Sequence, residues 1–177
     1  MNFELKTLTV AQAAGEKADA MIVLIGAAKS PGGKDPLSRL IAEARQSGDL
    51  PDKAGKSMVL YRPAGVSAAR LVLASTGDSR PGSVRKAVLA AVGAVNGFKP
   101  KRLSIVFAQA GDGPALRAAV VAAAEASYVF TTTKPKAEGR SMRHIDFGVA
   151  DAAASRADFA EASATVAGIE FAKERGT

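Results

Sequence analysis

The chain has no cysteine and no tryptophan, a single histidine, and aromatic residues at only 5% of its 177 positions. Without cysteine there is no disulfide framework, no thiolate zinc site and no cysteine nucleophile. That composition fits a reducing compartment, and a cytoplasmic location is the expectation. The lone histidine, His144 in "SMRHIDF", has no second imidazole to join in a metal site or a proton relay. Its expected place is the surface or edge of a strand. The longest strongly apolar stretches, "AMIVLIGAA" and "AAVVAAAEA", fall short of a membrane span. The opening "MNFELKTLTV" lacks the basic start and apolar run of a secretory leader. No membrane partner is expected.

Several catalytic signatures are also missing. There is no Gly-x-Ser-x-Gly elbow, no Walker loop and no complete Gly-x-Gly-x-x-Gly. Glu43, Asp49, Asp52, Asp78, Asp112, Glu125, Glu138, Asp146, Asp151 and Asp158 are scattered along the chain. They predict no cluster of the kind a metal centre needs. Neither a catalytic residue nor a metal ligand is assigned to this sequence.

What is present is aliphatic. Hydrophobic residues make up 47% of the chain, mostly Ala, Val and Leu, which suits helices laid on a sheet. The length is right for one domain with a sizeable core. "FELKTLTV" (Phe3 to Val10) alternates as a half-exposed strand does, and "DAMIVLIG" (Asp19 to Gly26) is a continuous run expected of a buried strand. "KSMVLYRP" and "ARLVLAST" are strands joined by a tight Pro- and Gly-containing link, and "KRLSIVFAQ" and "MRHIDFGVA" complete about six. Helical stripes lie between them: Leu37, Leu40, Ile41 and Ala44 after a capping Asp35 and Pro36, then Val84 to Val95, then Leu116 to Tyr128. Ser155 opens a last helix carrying Phe159, Ala162, Val166 and Ile169, with Gly176 as a candidate C-cap. The alternation predicts a three-layer α/β/α domain with a mixed, mainly parallel sheet of about six strands. The one boundary falls between residues 1–154 and a terminal helix at 155–177.

Two kinds of feature are candidates for binding. "SPGGKDP", "GDSRPGS" and "GDGPALR" are Gly-rich turns that each precede a helix, where backbone N–H groups favour an anion. Net charge is +7, and the basic residues gather in "KPKR" (Lys99 to Arg102) and in the loop "KPKAEGRSMR". That loop sets Lys134, Lys136, Arg140 and Arg143 against one acid, Glu138. Such a loop suits DNA phosphates or a contact with another domain. No aromatic residue interleaves with it, so stacking on single strands is not expected.

Several phrases, in order, resemble the N-terminal domain of the leucyl aminopeptidases, the cytosol aminopeptidase or M17 peptidase family. They are "GDLPDKAGKSMVLY", "ARLVLASTGDSR", "EASYVFTTTKPK", "SMRHIDFGV" and the closing "VAGIEFAKERGT". Thr76 and Asp78 flank Gly77 where that family commonly has a second glycine, and Thr177 stands where an asparagine is common. The resemblance spans essentially the whole chain. It implies a macro-domain-like fold and a closing helix that leads into a catalytic domain beyond Thr177. The family's enzymes are two-metal exopeptidases that release N-terminal residues, preferably leucine, using zinc or manganese. Their ligands and an "N-T-D-A-E-G-R" motif lie in the C-terminal domain, and that motif does not occur here. By the same resemblance the partners are the chain's own catalytic domain and the other subunits of a cytoplasmic homo-hexamer. The expectation is therefore a non-catalytic domain without cofactor of its own. The alternatives are a nucleic-acid-binding module using the basic loop and a macro-like binder of ADP-ribose or nucleotide.

Overall fold

In the computed structural model, residues 1–27, 31–130 and 138–175 are described. Six strands form a single sheet: β1 (Asn2–Thr7), β2 (Ala20–Gly26), β3 (Ser57–Tyr61), β4 (Arg70–Gly77), β5 (Arg102–Phe107) and β6 (His144–Val149). Their order is β1-β6-β5-β2-β4-β3, parallel throughout except for the antiparallel edge strand β3. Among the described residues five helices accompany them: α1 (Val10–Ala13), α2 (Pro36–Gln46), α3 (Pro81–Asn96), α4 (Gly113–Ser127) and α5 (Arg156–Arg175). This is the expected three-layer arrangement with a mixed, mainly parallel sheet.

Burial follows the sequence pattern. Every residue of β2 is buried, because its unbroken apolar run has a helical layer on both sides. Ile22 and Leu24 face α3 and α4, with Leu103, Ile105, Ile145 and Phe147 in the same core. Met21, Val23 and Ile25 face α1 and α2, with Leu37 and Ile41. On edge strand β3 burial alternates, leaving Val59 and Tyr61 exposed. Helices α3 and α4 meet through small residues, among them Ala87, Ala91, Ala119 and Ala123, all fully buried. Such side chains let helix axes approach closely. Phe3, Phe147 and Phe159 stack in sequence, each pair of ring centroids 6.0 Å apart. That stack ties α5 to β6 and β1.

One local expectation is corrected. The first strand stops at Thr7, three residues before Val10, because Thr9 and Gln12 form a reciprocal capping box that starts the short helix α1. The short link from β1 to β2 makes no hairpin. The chain carries β2 across to the centre of the sheet, and β1 pairs with β6. The tight link between β3 and β4 is a true antiparallel connection, closed by Arg62 N donating to Ala69 O at 3.0 Å. It turns at Gly65, whose φ of 77° suits only glycine without strain. The expected Gly176 cap lies outside the described residues.

Asp35 is the N-cap of α2, accepting from Ser38 N at 2.9 Å, with Pro36 in the first turn. Burial alone would raise its pKa, but the Ser38 hydroxyl and the backbone N–H groups of Ser38 and Leu37 outweigh that and hold it below the usual aspartate value. A lowered folded pKa stabilises above the unfolded value and is lost as pH falls through the folded one. Asp35→Ala is expected to cost about 1 kcal/mol at neutral pH. The gap should shrink as pH falls below the ordinary aspartate value of about 3.9. Urea unfolding of both proteins across that range checks it.

Candidate functional site

Each Gly-rich turn already holds a carboxylate of the chain itself. At the start of α2 it is Asp35. At α4, Asp112 accepts from Ala115 N at 2.8 Å, and Asp158 of α5 packs against Gly113 while paired with Arg117. Before α3, Asp78 accepts from Arg80 N at 3.2 Å, and the Ser83 hydroxyl holds its pKa below the usual value. An incoming phosphate would meet these negative charges at the helix ends where it would bind. Between the C-terminal ends of β2, β4 and β5, where open α/β sheets take ligands, the space is filled. Gln109 Oε1 accepts from Gly26 N at 2.9 Å and the Thr76 and Ser79 hydroxyls are 3.0 Å apart. The cavity they leave is about 20 Å³, below the volume of a nucleotide.

The basic loop divides. Lys134 and Lys136 lie outside the described residues. Arg143 is exposed. Arg140 turns inward, with its side chain only 15% exposed. Its Nε donates to Ser127 O at 2.9 Å and its Nη2 to Ala124 O at 3.1 Å, so it closes the C-terminal end of α4. Nη2 also pairs with Glu170 Oε1 of α5 at 2.6 Å. Tyr128 completes the grip, with the Arg140 guanidinium 5.5 Å and Lys173 Nζ 4.8 Å from its ring centroid. Arg140 thus acts as a latch between α4 and α5. Beside it, Met1, Arg140, Arg143, Glu170 and Glu174 line an open hollow of about 470 Å³. Beyond Glu170 on α5, Phe171 remains exposed, as does Ile169 just before it. In the second basic cluster, Lys99 pairs with Glu138, and the backbone N–H groups of Lys101 and Arg102 donate to Asp19 Oδ2.

Sequence reading missed a polar cluster on β1, β6 and the start of β5, on the side of the sheet that carries α1 and α2. Register places Asn2 beside His144 and Glu4 beside Asp146. Asp146 has no exposed surface. Its Oδ2 accepts from Arg102 Nε and Nη2, both at 2.9 Å, and lies 3.3 Å from Lys6 Nζ. Its Oδ1 is 2.9 Å from His144 Nε2, which is also 3.2 Å from Glu4 Oε2. Asn2 Nδ2 is 3.2 Å from His144 Nδ1. With that amide donating, the neutral ring carries its proton on Nε2, toward the carboxylates. The expectation of scattered carboxylates is corrected here: residues some 140 positions apart meet because the first and last strands pair.

Burial would lower the Lys6 pKa, but Glu16, at 2.7 Å, and Asp146 outweigh it and hold the ammonium above the usual lysine value. A raised folded pKa stabilises below the unfolded value and is lost as pH rises through the folded one. Lys6→Met is therefore expected to lose about 1–2 kcal/mol near neutrality. Its stability should converge on that of the parent protein as pH rises past the ordinary lysine value of about 10.4. Denaturant titrations near pH 8 and pH 11.5 would show a constant gap if Lys6 were an ordinary surface lysine.

The comparisons with known proteins agree with this architecture. Residues 20–137 match the family model "Cytosol aminopeptidase family, N-terminal domain". A probable cytosol aminopeptidase of Variovorax paradoxus is 59% identical over 99% of this chain and 35% of its own length. One from Albidiferax ferrireducens is 52% identical over 98% of this chain and 36% of its own. The chain thus spans about a third of the length of the curated relatives it matches. Among solved structures, a tomato leucine aminopeptidase mutant superposes with a TM-score of 0.70 at 18% identity, covering 96% of this chain and 37% of that one. The bottromycin maturation enzyme BotP in complex with Mn gives 0.62 at 16% identity, over 89% of this chain and 31% of that one. At such identities these two matches speak for the fold. The sequence matches go further: the chain belongs to the cytosol aminopeptidase family, whose N-terminal domain it represents.

Proposed function

We propose that this chain is the non-catalytic front part of a metal-dependent leucyl aminopeptidase, and that its work is to hold and present a connecting helix. The parent enzyme would release N-terminal residues, preferably leucine, from peptides in the cytoplasm, as a homo-hexamer with this domain at its outside. The observation that carries the reading is the Arg140 latch. It fixes α5 on α4 while Ile169 and Phe171, near the end of α5, stay exposed. An anchored helix with an apolar end suits contact with a further domain.

The family's two divalent metals do not fit the residues described here. The one grouping of potential ligands among them is Glu4, His144 and Asp146, with Arg102 and Lys6 already on the second Asp146 oxygen. A two-metal centre would need more carboxylate than that. In this reading the chain's residues do no bond chemistry. Arg140 and Glu170 set where α5 leaves the domain, and residues 155–177 form the connector to the catalytic part.

Two measurements test this. The chain alone, given manganese or zinc, is expected to release no p-nitroaniline from leucine p-nitroanilide. Fused to the remaining C-terminal part of the Variovorax paradoxus relative, it should support hydrolysis. Metal-dependent turnover by the chain alone would overturn the proposal. Separately, Arg140→Gln is expected to destabilise the α4–α5 contact by about 1–3 kcal/mol. Amide exchange in the second half of α5 should speed up at least about tenfold while β2 and β5 stay protected. Unchanged exchange in α5 would mean that Arg140 is not the latch.

A further inference from the structure

Independently of that reading, we infer that Glu4, His144 and Asp146 form a binding site for one transition-metal ion of the zinc type. The three donor atoms lie within 4.8 Å of one another. His144 Nε2 is 3.2 Å from Glu4 Oε2 and 2.9 Å from Asp146 Oδ1. Zinc bound to nitrogen and oxygen at about 2.0–2.2 Å in a tetrahedron sets its donors about 3.3 Å apart. The two distances to His144 are within a few tenths of an ångström of that spacing, and Glu4 and Asp146 bring their oxygens within 4.8 Å of each other. One imidazole and two carboxylates leave a fourth position for water, and zinc or cobalt suits that donor set.

The surroundings prepare the donors. All three sit on the paired strands β1 and β6, whose register fixes their spacing. Arg102 and Lys6 engage only the Oδ2 atom of Asp146, which aims Oδ1 at His144. Orientation of a ligand by an outer partner is a recurrent feature of metal sites. Asn2 performs that role for the ring: as the metal takes Nε2, the ring proton moves to Nδ1, and the Asn2 amide turns its oxygen to accept it.

Charge also favours a cation. Glu4, Glu16 and Asp146 outnumber Lys6 and Arg102 in this patch, while the protein as a whole carries +7. Access is open, because the side chain of Glu4 is 49% and that of His144 24% exposed. Ser104, the register partner of Asp146 on β5, is fully buried on the same face, and its hydroxyl has no hydrogen-bond partner among the described residues. The polar capacity of this face thus exceeds the partners it has.

The test uses the untagged chain, with zinc chloride in calorimetry and cobalt chloride in absorption spectroscopy. One zinc per chain is expected, with visible cobalt bands of tetrahedral strength. His144 is the only histidine, so its imidazole proton resonance is a unique reporter and should broaden with substoichiometric cobalt. Glu4→Gln and His144→Gln should each weaken zinc binding about tenfold or more. Circular dichroism verifies folding. Should the histidine variant not fold, Glu4→Gln, at a half-exposed position, and the resonance of the parent protein decide the matter. No saturable zinc binding, or affinity indifferent to Glu4→Gln, would overturn the proposal and leave the cluster a hydrogen-bonded ion network.

Discussion

A fully buried carboxylate disciplines one half of this sheet. Asp146 has lost all contact with solvent, a cost that burial imposes on any charge and that only close counter-charges and hydrogen bonds offset. The compensation comes from two neighbouring strands: Arg102 at the start of β5 and Lys6 near the end of β1. The carboxylate therefore joins residues at least 44 positions apart in the chain. It also fixes their register. Sliding β1 by one residue would turn Glu4 and Lys6 into the core of Phe147 and Phe159, and would turn Phe3 and Leu5 onto the polar face. The phenylalanine stack on one face and the ion network on the other thus specify the same pairing.

Most of the architecture was legible in the sequence because burial on two faces leaves a plain mark. The continuous run of β2, the tight link between β3 and β4 and the capped start of α2 all correspond to what formed. What escaped was of two kinds. One was local competition: the alternation of Phe3 to Val10 continues past Thr7, but the Thr9 and Gln12 box supplies the backbone N–H groups with a helical solution. The other was topological. No window of sequence holds both Glu4 and Asp146, and the strand pair that joins them exists only once β6 has been laid between β5 and β1. His144 seemed isolated for the same reason. Arg140 shows a third limit: a basic run in sequence does not say which member points inward, and here the carbonyls at the end of α4 claimed one.

The Gly-rich turns show why this fold need not bind what its architecture suggests. Glycine and proline shape a turn before a helix, and the helix start leaves N–H groups to satisfy. Those groups accept any anion of the right shape, including one attached to the chain. Here Asp35 and Asp112 are that anion, Asp158 reinforces the second from α5, and before α3 Asp78 adds a negative charge while accepting from Arg80 N. The same residue type that stabilises the helix start excludes a phosphate from it. At the α4 end the exclusion also has a structural consequence. Asp158 sits on Gly113 because a side chain there would collide with it, so the glycine serves the docking of α5. With Arg117 and Asp158 joining the N-terminal end of α4 to the start of α5, and Arg140 and Glu170 joining the other end of α4 to α5, the last helix is held at two points about 18 Å apart along its axis. A helix pinned at two such points has a fixed direction, whereas one pinned by its apolar stripe alone could roll or slide along α4.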